Sequence, residues 1–172
     1  MTTDGSLLRT GSRPVLRFER HLRRPIEVVW KAVTDPVQLQ SWFSTRIVID
    51  EWKIGAPLSH VFEEHEIDPL PGTVLEWDPP GRVSFTWGTD TISFELTATD
   101  ERTTLFVLTV ELSASIAARN AAGWEVCLDR LERGTAEEPW RPRFERYVAA
   151  FEAMLGPQDG PPPGYRNQTD GG

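Results

Sequence analysis

Cysteine occurs once in this chain, at Cys127, which excludes an internal disulfide and any cysteine-cluster zinc or iron–sulfur centre. Long apolar runs are missing as well. No stretch approaches the roughly 20 residues of a membrane span, so no membrane insertion is expected. Residues Met1 to Pro14 carry only the pair Leu7 and Leu8 among Thr, Asp, Gly, Ser and Arg, and lack the apolar centre of a secretory signal; cytoplasmic residence is the expectation. Positive charge is scarce, with 18 Lys and Arg against 26 Asp and Glu and a net charge of −8. Neutralising phosphates takes a basic face, so no nucleic-acid partner is expected. Arg9, Arg13, Arg17, Arg20, Arg23 and Arg24 make the N-terminal end locally basic, and they read as a solvated strand edge. Also lacking are GxSxG, HExxH, a Walker loop and a dinucleotide-binding glycine pattern, so the usual routes to hydrolysis, metalloproteolysis and nucleotide chemistry have no residues here and no cofactor is called for.

What the chain does have is an ordered succession of periodicities. With 172 residues it suits one domain with terminal appendages, and a domain of about 150 residues buries roughly 70% of its unfolded surface without a staple. Leu16, Phe18 and Leu22 share a parity against Arg17, Glu19 and Arg23, which predicts a first strand. Pro25 then opens a helix in which Ile26, Val29, Trp30 and Val33 recur at helical spacing until Asp35-Pro36. Leu39, Trp42 and Phe43 predict a second short helix over 37–43 whose aromatic end docks on the core.

From Arg46 to Leu112 the period becomes two, broken every eight to twelve residues by turn signals such as Gly55-Ala56-Pro57 and Asp78-Pro79-Pro80-Gly81. This predicts an antiparallel meander of six strands, seven with the first. Ile92, Phe94, Leu96 and Ala98 face one way, and so do Val83, Phe85 and Trp87; Leu75 with Trp77, and Leu58 with Phe62, are taken as the inward parities of their strands. The last strand, Leu105 to Leu112, is apolar on both faces and should be either central or covered on both sides. Ala117, Ala121, Trp124, Leu128 and Leu131 then form one apolar stripe of a helix ended by Gly134. Gly123 beside Trp124 suggests close packing on that helix. Phe144, Tyr147, Val148, Phe151 and Leu155 give a final helical stripe stopped by Gly156-Pro157.

The domain expectations are a flexible segment at 1–14, the main domain at 15–134, a helical extension at 135–156, and a tail at 157–172 too poor in apolar residues to order itself. The fold class is α+β: a sheet that curls around the 117–133 helix and encloses a pocket, with two short helices capping one end.

Several stretches resemble the SRPBCC superfamily, in its Hsp90 ATPase activator homologue branch: Arg24-Pro25-Ile26-Glu27-Val28-Val29-Trp30 through Asp35-Pro36, Leu39 to Trp42-Phe43, Gly72-Thr73-Val74-Leu75-Glu76-Trp77, Thr86-Trp87 and Gly123-Trp124. The likeness covers roughly residues 15 to 134. It implies a helix-grip fold, also called Bet v 1-like or START-like, in which a curved seven-stranded sheet holds a long helix around an apolar cavity. It also implies binding of lipids, sterols, polyketides or similar molecules, with cyclase or hydrolase activity in a few members. Ile54-Gly55-Ala56-Pro57 departs from the family's usual double glycine, and residues 137–155 run past its usual last helix.

The candidate ligand-binding residues are His60, Phe62, Trp77, Phe85, Trp87, Phe94, Trp124 and Leu128. His60, Glu63, Glu64, His65 and Glu66 resemble a metal cluster, but a five-residue spacing puts the two histidines on opposite faces of a strand, so neither a metal site nor a catalytic set is assigned. Cys127 reads as a buried structural thiol. Trp30 and Trp42 read as core anchors, and Trp52 and Trp140 as peripheral. The expected partner is a small hydrophobic molecule held by a noncatalytic carrier or sensor. The alternatives are a protein-contact module, including a homodimer through the C-terminal extension, and a cyclase or hydrolase.

Overall fold

The computed structural model describes residues 5–9, 11–64 and 66–161. Its strands are β1 (Ser6–Arg9), β2 (Pro14–Leu22), β3 (Arg46–Ile49), β4 (Pro57–Val61), β5 (Leu70–Asp78), β6 (Arg82–Trp87), β7 (Asp90–Asp100) and β8 (Thr103–Glu111). They form one antiparallel sheet in the order β1-β2-β8-β7-β6-β5-β4-β3. The count is therefore eight, not seven. The extra strand lies inside the segment expected to be flexible, where Leu7 pairs with Leu16 and Leu8 with Val15. β8 sits between β2 and β7, the first of the two placements its two-sided apolar pattern allows.

The helices are α1 (Ile26–Thr34), α2 (Pro36–Leu39), α3 (Ala117–Arg133) and α4 (Trp140–Leu155). Asp35 ends α1 and starts α2, its Oδ1 accepting from the Val37 N–H at 2.9 Å. α2 is shorter than the helix expected over 37–43, because the chain tightens into a turn in which the Trp42 and Phe43 N–H groups both return to the Leu39 carbonyl. That turn aims both rings inward. The Trp42 indole donates to the Ala32 carbonyl at 2.9 Å, so the largest buried side chain still satisfies its polar atom.

Two details depart from simple alternation. Along β5 the register slips between Val74 and Glu76, so Leu75 is an extra residue opposite β6 and lies 43% exposed while Val74 is buried. The bulge reverses the parity that made Leu75 an inward residue. On α3, the stripe through Ala117, Ala121, Trp124, Leu128 and Leu131 is buried as expected, but a second row is buried beside it: Ala118, Ala122, Glu125 and Asp129. α4 covers that second row.

The α4 stripe is consumed inside the chain. Tyr147 and Phe151 are buried, and the partly buried Phe144, Val148 and Leu155 pack against the core, so much of this face is covered within the chain. The Tyr147 hydroxyl also accepts from the Gly5 N–H at 2.7 Å, joining α4 to the start of β1. Beyond α4, Gln158 reaches back to the first turn of α3, which has no side-chain cap of its own: its Oε1 accepts from the Ala118 N–H and its Nε2 donates to the Ala114 carbonyl, each at 3.0 Å. Residues 157–161 of the expected disordered tail thus include an ordered latch; the rest of that tail lies outside the described residues, as does His65.

The basic N-terminal run is not uniformly solvated either. Arg20 is 2% exposed with Glu132 at 3.5 Å, Arg13 pairs with Asp90 at 2.9 Å, and Arg24 donates to the Leu131 carbonyl. Among the described residues no helix is long and apolar enough to cross a membrane.

Candidate functional site

Between the sheet and α3 the sequence places aromatic rings from five elements. β4 alternation turns Leu58 and His60 inward, β6 contributes Phe85 and Trp87, β7 contributes Phe94, the turn after α2 contributes Phe43, and α3 contributes Trp124. Phe43 is the hub. Its ring centroid lies 5.4 Å from Trp124, 5.8 Å from Trp87, 6.2 Å from Phe85, 6.3 Å from His60 and 6.4 Å from Phe94. Four of these are ordinary edge-to-face or tilted contacts and the Phe43–His60 pair is stacked, so side chains fill the space between sheet and helix where an enclosed pocket was expected. At one end the cluster reaches water: Trp87 and Phe62 are only half-buried and meet edge-to-face at 5.8 Å.

His60 sits inside this cluster, 0% exposed and 4.5 Å from the Trp87 ring. Its Nε2 lies 3.0 Å from the Thr86 carbonyl oxygen and its Nδ1 3.3 Å from the Thr45 hydroxyl. A carbonyl only accepts, which assigns the proton to Nε2 and lets Nδ1 accept from Thr45. Burial holds the His60 pKa below its ordinary value, against a smaller upward pull from the Thr86 carbonyl. The ring is therefore neutral and both nitrogens are engaged, which suits a polar anchor in an apolar site better than a general base. Gly72 makes the arrangement possible. A Cβ there would stand 3.2 Å from His60 Nε2, 2.7 Å from Leu58 Cδ1 and closer still to the Thr86 carbonyl.

The structure brings together His60, Phe62, Phe85, Trp87, Phe94 and Trp124, with Leu128 buried one turn further along α3. Trp77 stands apart. It stacks on Trp52 at 5.5 Å and 8° and lies 5.1 Å from Trp30, in a half-buried tryptophan trio whose ring contact to the main cluster runs from Trp52 to Phe85 at 6.0 Å. Trp52 is less peripheral than expected, since its indole also donates to the Thr34 carbonyl at 2.8 Å. Sequence reasoning missed Phe43 as a site residue; its only signal was adjacency to Trp42 at a helix end. Cys127 is buried and desolvation pushes its thiol up to about 12, so it is no nucleophile at neutral pH.

A meandering antiparallel sheet gripping one long helix over an aromatic interior defines a helix-grip domain. The chain belongs to the family described as Activator of Hsp90 ATPase homolog 1-like protein, within the SRPBCC superfamily, whose model matches residues 23–134. Solved structures share the fold. EF2215 from Enterococcus faecalis superposes with a TM-score of 0.75 at 17% identity, over 87% of this chain and 91% of that one. CalU16 from Micromonospora echinospora gives 0.65 at 20% identity, over 88% and 94%. DynU16, from the dynemicin biosynthetic locus, gives 0.60 at 25% identity, over 69% of this chain but 46% of its own. No curated protein matches the chain.

Proposed function

We propose that this domain binds a small, flat, apolar molecule between its sheet and α3, as a carrier or sensor and not as an enzyme. The carrying observation is the half-exposed Trp87–Phe62 pair at the end of the ring cluster, continuous through His60 and Phe43 with Trp124. Because rings already fill the interior, a guest enters by rotating Phe62 and Trp87 aside and replacing ring–ring contacts with its own. The neutral His60 offers one polar point without the cost of a buried charge. The noncatalytic reading is supported by the engagement of both His60 nitrogens and by the raised Cys127 thiol. The origin of DynU16 in a biosynthetic locus favours a natural-product guest. The family's description names a domain type, and chaperone binding does not follow from a shared fold.

The test is titration of intrinsic tryptophan fluorescence with a polycyclic aromatic, a sterol and a fatty acid. Saturable quenching by one class, weakened by Phe62→Ala and reduced in amplitude by Trp87→Phe, is the expected result. Silence across all three overturns the proposal. The competing reading, a protein-contact module, draws on Val37 and Val48, which stand exposed beside a 250 Å3 cleft between α2 and the edge strand β3. Light scattering and pull-down with a Val37→Asp/Val48→Asp variant separate the two readings.

A further inference from the structure

We propose a second ligand site, distinct from the aromatic interior, in the cleft at the C-terminal end of α3: it takes a small organic mono-anion, a carboxylate on a compact apolar body. The cleft is half-open to solvent and offers about 290 Å3, close to the lower end of the ~300–1,000 Å3 range of small-molecule sites. Three parts of the fold fix its walls: the β2–α1 junction, the α1–α2 pair and the last turn of α3.

The lining divides by chemistry. Arg24, Gln38, Ser41 and Arg130 supply two guanidinium groups, an amide and a hydroxyl that already donates to the Gln38 carbonyl, while the nearly covered Ala32, Trp42 and Leu131 show the cleft a small apolar floor. A ligand matching both walls carries its charge at one end. Glu132 is the one carboxylate in the lining, so against Arg24 and Arg130 the cleft is left with a formal charge of +1 in a protein of net −8. Glu132 is itself drawn toward Arg20, 3.5 Å away. One negative charge balances this cleft. A dianion would face Glu132 and the carbonyl end of α3, where the helix dipole is negative.

Arg24 is set for the task before any ligand arrives. It donates to the Leu131 carbonyl, which pins its position to the end of α3, and a guanidinium carries five N–H donors in a rigid fork suited to a carboxylate. Burial acts on Arg24 more strongly than the attraction of Glu132, so its charge sits in a partly dried setting where an incoming carboxylate is felt more than at open surface. Arg130 stands exposed at the rim. The arginine-rich run read from sequence as a solvated edge therefore contributes one member, Arg24, to an anion-recognising cleft.

Trp42 supplies a reporter. It stands at the floor of the cleft, 1% exposed with its indole N–H on the Ala32 carbonyl, and its ring lies 5.7 Å from Phe94 and 6.4 Å from Phe106 in the core, so a guest beside it perturbs a well-fixed indole. The experiment is an amide and indole NMR titration of the full chain with benzoate, and with benzyl alcohol and inorganic phosphate as comparisons. Benzoate is expected to give saturable shifts at the Trp42 indole and at residues 38–41 and 130–134, with benzyl alcohol and phosphate each at least tenfold weaker. Arg130→Gln, a surface change that leaves the fold intact, should weaken benzoate at least fivefold, whereas Trp87→Ala should leave it unchanged. Equal binding of the alcohol, tighter binding of phosphate, shifts centred on the Trp87 indole, an unaltered affinity in Arg130→Gln, or no saturable shift with benzoate would each overturn the proposal.

Discussion

Arg143 on α4 donates to Oδ2 of Asp129 on α3 at 2.6 Å, and the two side chains are 2% and 3% exposed. Glu125 lies 3.3 Å from the same guanidinium, while Arg133 and Arg146 approach the two carboxylates from the rim. The second buried row of α3 is thus half small and apolar, where α4 packs closely, and half acidic, where α4 brings its charge. Such a cluster is poor evidence of net stabilisation, since desolvating its charges costs about what their attraction returns. Breaking it is another matter.

Arg143→Met leaves Asp129 and Glu125 under α4 without their central cation. A loss of about 3–5 kcal/mol is expected in urea unfolding. A loss below about 1 kcal/mol would mean that water reaches both carboxylates.

His60 gives the stability a pH dependence of known sign. Burial lowers its pKa from 6.5, so just below that value the unfolded chain binds a proton that the folded one does not. This contribution is complete above about pH 6.5 and is lost as pH falls from there toward the folded-state value. His60→Gln, which keeps one donor and one acceptor, should flatten the melting-temperature profile between about pH 5 and 7. An unchanged slope would assign it to other groups.

Two glycines make opposite predictions. Gly72→Ala drives a methyl group into the Thr86 carbonyl and Leu58, and should destabilise by about 1–3 kcal/mol while disturbing the near-ultraviolet signal of Trp87. Gly123→Ala meets only the Trp140 indole nitrogen at 4.0 Å, an ordinary contact, and should stabilise α3 by up to about 1 kcal/mol. Thermal melts of the two variants decide both. The close packing expected at Gly123 from sequence is correspondingly mild.

Cys127 should resist a disulfide reagent at pH 8 in the native state and react stoichiometrically in denaturant, because its thiol is both covered and pushed up to about 12. Rapid native modification would show that the layer over α3 opens readily.

Much of the fold was legible because single-period patterns dictated it. The range 117–133 for α3 follows from one stripe and one glycine, and Gly134 does take the left-handed conformation, with φ 79°. Placement in the ring cluster was legible where alternation held, at His60, Phe85, Trp87 and Phe94. It failed where a backbone irregularity reset the phase, as at Leu75, or where a ring came from a turn, as with Phe43. β1 escaped notice because four residues are too few to display a period, and its partner Leu16 already had an explanation. Gln158 capping Ala118 could not be foreseen: nothing at either position announces a bond across 40 residues.

The family match begins at Arg23, one residue after β2 ends, yet β2 lies inside the sheet, between β1 and β8. A fragment trimmed to the matched stretch would lose an interior strand along with α4, uncovering one whole edge of β8 and the Asp129–Glu125 row at once. The stretch that the family model matches and the stretch that completes the sheet and covers α3 are, for this molecule, different lengths of polypeptide.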